Sequence, residues 1–228
     1  MSREVPYEVQ TLNHPNPIVR YAHQTRYRNS LHLAARLLPH SGSILDFGAG
    51  QGEFLHRLAM QRPDVRLIAF EPFMKLKYPE IESRRTMEEV EPNSIDFYCA
   101  LETLEHISDE QIERFIAQGK RVCRPSGKIV VSVPIMQGAV LPIKEISRSL
   151  LFRRFSDYSV AEMVKGVVGM QVPRANNILW SHKGFDQRHL YDRLRTAFGA
   201  EEKFYSPFRN LPWWCNSQAF FVFSAKRQ

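Results

Sequence analysis

The sequence predicts a doubly wound α/β domain: a mostly parallel, seven-stranded sheet that ends in an antiparallel hairpin and carries an inserted cap. Three observations predict it. Short apolar runs alternate with helical patterns up to residue 133, the order that builds a parallel sheet with helices on both faces. The first run feeds a glycine-rich turn that opens a helix, and in open α/β sheets the ligand crevice lies beyond such strand ends. The last two runs are joined only by residues 207–216, too short a connection for a parallel crossover with a helix.

The elements follow in order. Residues 1–20 are polar and hold Pro6, Pro15 and Pro17, so they read as an irregular arm. Residues 25–38 have a helical pattern stopped by Pro39 and Gly42. Residues 43–48 are a buried strand, and residues 53–61 a helix with Phe54, Leu55 and Leu58 on one face. Strands follow at 65–70, 81–84 and 94–100, then a helix at 109–122 and a strand at 127–133. The alternation breaks at Pro134. Residues 135–183 mix apolar and basic side chains with Pro142, Gly166, Gly169 and Pro173, and so long an interruption reads as a cap over a site. A helix at 185–198 and strands at 201–206 and 217–224 close the fold. The chain thus divides into an arm and helix (1–42), a ligand-binding core (43–134), a cap or substrate insertion (135–183) and the C-terminal part of the core (184–228).

Composition sets bounds. With 228 residues, 43% hydrophobic and 24% charged, the chain suits one soluble domain that needs no disulfide or metal staple. No apolar run approaches the roughly 18 residues of a membrane span. The first ten residues carry Arg3, Glu4 and Glu8 and no apolar h-region, so a secretory leader is not expected. Cys99, Cys123 and Cys215 are far apart, odd in number and form no CxxC pair. A reducing, cytoplasmic setting is expected. The net charge of +7 and pI near 9.4 suit anionic partners such as nucleic acid, phosphorylated sugars or lipid headgroups, or serve solubility alone. The excess recurs as Arg20, Arg26 and Arg28; Arg148, Arg153 and Arg154; and Arg188, Arg193 and Arg195.

The chemistry centres on Ile44-Leu45-Asp46-Phe47-Gly48-Ala49-Gly50-Gln51-Gly52-Glu53. Glycines here admit positive φ and let a ligand approach the backbone. The spacing is G-x-G-x-G, and Glu53 would compete with a phosphate for the positive helix start. Both features argue against a dinucleotide pyrophosphate. Glu71 ends the second strand, where a carboxylate can accept hydrogen bonds from a ribose diol.

These segments resemble class I S-adenosylmethionine-dependent methyltransferases. Residues 44–53 are similar to their motif I, and Phe70-Glu71-Pro72 to their acidic motif II. The run from Ser94 through Leu101-Glu102-Thr103-Leu104-Glu105-His106 resembles the strand and LEH segment of the type 11/12 group. Arg124-Pro125-Ser126-Gly127-Lys128, followed by an apolar strand, resembles its proline–glycine signature with Ser for the first Gly. The resemblance covers residues 43–133. It implies a Rossmann-like methyltransferase fold and S-adenosylmethionine as cofactor. It also implies Asp46, Gly48 and Gly50 near the methionine end, Glu71 at the ribose, and Thr86, Met87 and Leu101 around the adenine, with Gly52 and Pro72 among the cofactor-binding residues.

Glu102, Glu105 and His106 follow the fourth strand. Two carboxylates and an imidazole can hold a divalent cation. The segment resembles the E-x-x-E-H of ubiquinone-pathway O-methyltransferases and of small-RNA 2′-O-methyltransferases, where a metal is bound. Type 11 enzymes carry the same LEH segment without one, and the expectation here is no metal. An oxygen nucleophile needs a base near neutral pH, and His182, His106 and Glu102 are the candidates. Residues 148–154 form a basic, amphipathic stretch suited to a solvated cap helix or to weak contact with a membrane surface. Trp213 and Trp214 suit either stacking or a packed corner. Tyr21, His23, Arg26 and Arg28 read as a surface-facing basic helix. The expected activity is methyl transfer, to oxygen, on a small-molecule, glycan or lipid-intermediate acceptor. RNA methylation and a non-catalytic cofactor-binding scaffold are the alternatives. Oligomeric state is not legible.

Overall fold

The computed structural model describes residues 16–152, 155–179 and 181–225. Of the arm expected over residues 1–20, residues 1–15, with Pro6 and Pro15, lie outside them, as do Arg153, Arg154 and Trp180. Helix α1 spans Pro17–Leu37, β1 Ser43–Phe47, α2 Glu53–Gln61, β2 Arg66–Phe70, β3 Glu82–Arg84 and β4 Ile95–Leu101. They are followed by α3 Asp109–Val122, β5 Cys123–Pro134, α4 Leu141–Phe152, α5 Val160–Val167, α6 Gln187–Ala197, β6 Gly199–Ser206 and β7 Gln218–Ser224.

The seven strands form one sheet in the order β3-β2-β1-β4-β5-β7-β6. The first five are parallel, whereas β7 runs antiparallel to both β5 and β6. The expected terminal hairpin is therefore present, with β7 inserted between β5 and β6. Successive connections from β1 go outward to β2 and β3, then return to β4 on the other side of β1. The carboxyl ends of β1 and β4 thus flank the point where the winding reverses, which opens a crevice.

Strand alternation splits the interior into two cores. Leu45, Phe47, Tyr98, Val131 and Phe221 face Phe115 and Leu194, whereas Ile44, Phe97, Phe220 and Val222 face Leu33, Leu55 and Leu58. All five residues of β1 are buried, as expected of a strand covered on both faces. Helix α3 starts at a reciprocal Ser108–Gln111 capping box.

Two element starts differ from expectation. Helix α1 begins at Pro17 rather than near residue 25; a proline at the first helical position gives up no intrahelical bond. Strand β5 begins at Cys123, straight after α3, and its register with β4 shifts between Ile95 and Phe97. That irregularity absorbs Pro125 and Gly127.

Residues 135–183, expected from the sequence to be a cap, form two helices joined to each other and to the rest of the fold by polar contacts. Lys144 of α4 donates to the carbonyls of Ile135 (2.9 Å) and Ser217 (2.7 Å). The N–H of Gly138 donates to Gly166 O at 2.9 Å. Asn16, just before α1, donates to Ser147 Oγ at 3.0 Å. A Ser159–Glu162 capping box starts α5.

Candidate active site

The glycine turn leaves β1 and crosses under the end of β2. Gly48 has φ 79° and donates its N–H to Phe70 O at 2.8 Å. A Cβ at Gly48 would stand 2.4 Å from Thr103 Cγ2, so the turn packs directly on the segment after β4. A Cβ at Gly50 would meet only Met74 Sδ, at 4.0 Å; this glycine borders open space. Gly52 caps α2, and its Cβ would meet Ile81 Cδ1 at 2.7 Å. Glu53 is held by Arg57 at 2.7 Å and by the Tyr78 hydroxyl.

Glu71 is 6% exposed. Its Oε2 accepts from the N–H of Gly50 (2.9 Å), and its Oε1 from those of Phe73 (2.9 Å) and Met74 (3.1 Å). One carboxylate therefore joins the glycine turn to the loop after β2. Pro72 O accepts from Arg85 Nη1 at 2.8 Å. Thr86 caps the 3₁₀ turn Met87–Glu89, with both its N–H and its hydroxyl on Glu89 Oε1 at 3.2 Å. Met87 is buried in the same core cluster as Val90 and Ile95.

Asp46 is buried and accepts from Cys99 Sγ at 3.5 Å. Burial raises its pKa to about 7, with the nearby Glu71 charge adding to the rise. The ionised form is thus disfavoured in the fold, and stability falls as pH climbs from 3.8 through about 7. Asp46→Asn removes that titration. The variant should exceed the wild type in stability by on the order of 2 kcal/mol at pH 8, the gap closing by pH 4. Urea unfolding at both pH values measures this, and parallel curves for the two proteins would refute it.

Leu101 closes β4, and Glu102 follows with φ 56°. Its carboxylate accepts from Ser132 Oγ at 3.0 Å and pairs with Arg26 Nη1 at 3.3 Å. Arg26 is 7% exposed. The expectation of a surface-facing basic helix therefore fails at this residue, although Arg20 and Arg28 are exposed. Arg26, Ser30 and Leu33 are all buried on one helical face, but two of the three are polar, so no apolar periodicity marked Arg26 as internal.

Beyond Glu102, the 3₁₀ turn Leu104–His106 carries Glu105 and His106. Glu105 is 0% exposed, and neither carboxylate oxygen has a hydrogen-bond partner. Burial and the Glu102 charge push its pKa well above the usual carboxylate range. Arg174 of the cap donates to the Glu105 backbone oxygen.

His106 Nδ1 lies 3.2 Å from Ile178 O. A carbonyl only accepts, so Nδ1 carries the proton and Nε2 the lone pair. That lone pair faces His182 Nε2 at 3.0 Å, which an N–H on His182 or a cation satisfies. Burial holds His182 down to about 3, with His106, Lys144 and Arg174 adding to the shift, and burial also lowers His106. Both rings are neutral at pH 7. Ligand atoms of Glu105, His106 and His182 all lie within 4.8 Å of one another. The donor types and the two unpartnered oxygens fit a divalent cation, the alternative that the expectation of no metal set aside.

Residues 20–197 match the family described as a methyltransferase domain. The chain belongs to this family. Three solved structures share the methyltransferase's fold. The PH0226 protein from Pyrococcus horikoshii OT3 aligns with TM-score 0.61 at 12% identity, covering 96% of each chain. The Burkholderia thailandensis 1,6-didemethyltoxoflavin-N1-methyltransferase, with bound S-adenosylhomocysteine, gives 0.57 at 17%, covering 88% of this chain and 78% of its own. Human N-acetylserotonin methyltransferase, in complex with SAM, gives 0.50 at 14%, covering 88% and 52%. No curated protein shows significant sequence similarity to the chain.

The methyltransferase's cofactor is S-adenosylmethionine. The crevice fits it: Gly50 borders open space that a side chain would fill, and the buried carboxylates Asp46 and Glu71 flank the turn. Among the expected site residues, Asp46, Gly48, Gly50 and Glu71 meet at this turn. Leu101, Glu102, His106 and His182 gather beyond β4. Thr86 and Met87 stand apart, past β3. Sequence reasoning did not single out Lys144 and Arg174. Neither sits in a recognisable motif, and both act through backbone carbonyls distant in sequence.

Trp213 packs against the core with Arg188 5.2 Å above its ring, while Trp214 is half exposed; the corner is packed on one side only. In the basic stretch of α4, Arg148 is held by Glu145 (3.0 Å) and Asp157 (2.9 Å), and Leu150 is exposed. No helix among the described residues is long and apolar enough to cross a membrane.

Proposed function

We propose that the chain methylates an oxygen on a small-molecule, glycan or lipid-intermediate acceptor seated between the segment after β4 and the cap. The observation that carries this reading is the His106–His182 contact at 3.0 Å, which joins a cap residue to the turn abutting the glycine loop. Bound S-adenosylmethionine supplies a methyl on a positively charged sulfur that departs as a neutral thioether. In this reading Glu71 holds the ribose, and Asp46, Gly48, Gly50 and Gly52 border the methionine end. Pro72, Thr86, Met87 and Leu101 shape the edge around the base. The protein's main task is then alignment. An acceptor hydroxyl gives up its proton as its oxygen bonds to the methyl carbon and the carbon–sulfur bond breaks. In this reading the neutral imidazoles of His106 and His182 receive that proton. Glu102 is committed to Arg26 and Ser132 and acts by holding charge beside them.

The names of two fold neighbours, for 1,6-didemethyltoxoflavin and N-acetylserotonin, support a small acceptor. The basic excess lends RNA less support than the sequence implied. Arg26, Arg148, Arg188, Arg193 and Arg195 are all paired with carboxylates. The test is incubation with methyl-labelled S-adenosylmethionine and separate panels of hydroxylated small molecules, glycans, prenyl-linked phenols and RNA. Label is expected in a hydroxylated non-nucleic-acid acceptor. Label only in RNA, or only on nitrogen, would overturn the reading.

A further inference from the structure

We propose that the outer face of residues 135–183 pairs with a second copy of this chain, making a two-fold dimer joined through α5. The inference goes beyond the methyl-transfer reading and holds whichever acceptor is used.

Both helices of this segment present apolar side chains outward. In α4, Glu145 and Ser147 are buried, whereas Ile143, Ile146 and Leu150 are exposed. The buried pair is satisfied within the fold, Glu145 by Arg148 (3.0 Å) and Ser156 (2.7 Å), and Ser147 by Asn16 (3.0 Å). In α5 the buried residue is Gly166, where a Cβ would stand 2.5 Å from Leu141 Cδ2. Helix α5 thus lies on α4 through a glycine and keeps its larger side chains outside. Val160, Val164, Val167 and Val168 recur at i, i+4, i+7 and i+8, the spacing of a single stripe, and all four are exposed. A surface helix ordinarily turns such a stripe to the core.

Size and charge decide what covers this face. The stripe runs into a cavity of about 360 Å³ that Val167 and Val168 line together with Ala139, Gly169, Trp213 and Trp214. Phe155, 98% exposed, stands ahead of the other end of α5. The stripe, Phe155, Met170 and Trp214 expose on the order of 800 Å², above the roughly 300–600 Å² of the largest apolar patch on a typical monomer and near the roughly 800 Å² each partner gives a standard interface. The charges of residues 143–170 are mostly held inside the fold: Lys144 by two backbone carbonyls, Arg148 by Glu145 and Asp157, and Glu162 by Lys183. Among the described charged residues of that stretch, Lys165 alone stands outside these pairings, and its long stem lets the ammonium reach the rim of a contact. A second copy therefore covers the face without stranding an ion, whereas an anionic lipid surface would meet a single cation.

The layout suits a two-fold axis. Antiparallel pairing of two α5 stripes sets the N-terminal end of each helix against the C-terminal end of the other, which brings Phe155 of each copy to the cavity of the other. The face is then self-complementary, with an aromatic ring and an apolar hollow at opposite ends of one stripe. Each copy also steadies the other's segment that brings His182 to His106.

The experiment is sedimentation velocity of the full chain from about 1 to 100 µM, with Val164→Glu, Phe155→Asp and, as a control, Met60→Glu, which changes an exposed residue of α2. The wild type is expected to sediment as two chains. A carboxylate buried unpaired in the contact is expected to weaken pairing at least about 100-fold in Val164→Glu and in Phe155→Asp, with Met60→Glu unchanged. Circular dichroism confirms folding, and if Val164→Glu does not fold, Phe155→Asp, outside both helices, decides. A wild type that stays a single chain at about 100 µM, a pair that survives both substitutions, or equal dissociation of Met60→Glu overturns the proposal. A single-chain wild type that co-sediments with phosphatidylglycerol vesicles overturns it too and gives the face to a membrane.

Discussion

Glu71→Ala is expected to weaken S-adenosylhomocysteine binding about 10- to 100-fold, the scale of one charge-assisted hydrogen bond at about 1.5–3 kcal/mol. In the sequence, Glu71 stands at a strand end, where a carboxylate can meet a sugar diol. The structure adds a second role, because this carboxylate already accepts three backbone N–H groups from two loops. Oε2 holds one of them and has a lone pair left for a hydroxyl. Removal should therefore cost stability as well, by about 1–3 kcal/mol from stranded donors. Glutamine is no gentler, since its amide nitrogen would face a backbone N–H. Affinity is to be read by calorimetry below the variant's melting temperature. If Glu71→Ala binds within threefold of the wild type, Glu71 does not hold the ribose.

The fold was legible because its local signals agree with its long-range pairing. The run 43–48 is apolar throughout and ends in glycine, and β1 is buried end to end. Phe220 and Val222 alternate with Phe221 and Phe223 between the two cores, which marked β7. Helix α1 was misplaced because its buried face in the middle is Thr25, Arg26 and Ser30 rather than aliphatic, so the first half shows no apolar stripe. The glycine turn and Glu71 were readable as a unit because both sit at strand ends whose neighbours the topology fixes. His106 and His182 were each legible as candidates, but their contact was not. Cap geometry sets it, through Arg174 on the Glu105 carbonyl and Lys144 on the carbonyls of Ile135 and Ser217. Those bonds leave no periodic trace in the chain. Arg26 is the instructive case: as a charge it looked external, and it is internal because Glu102 needs a partner where burial is nearly complete.

His182→Ala should lower turnover at least 100-fold while S-adenosylhomocysteine affinity stays within about twofold. A positioned proton acceptor contributes about 10²–10⁴ to rate, which sets the expected loss. The separation of turnover from affinity follows from position. Thr103 meets the glycine turn, whereas His182 reaches His106 from residues 135–183. The hydrogen bonds of His182 go to His106, Arg174 and Phe185, none of them in the cofactor's proposed seat. Exogenous imidazole is expected to restore part of the lost turnover, since it can stand in for a missing base. Wild-type turnover in the folded variant would remove His182 from the reaction and, with it, the reason to seat the acceptor beneath the cap.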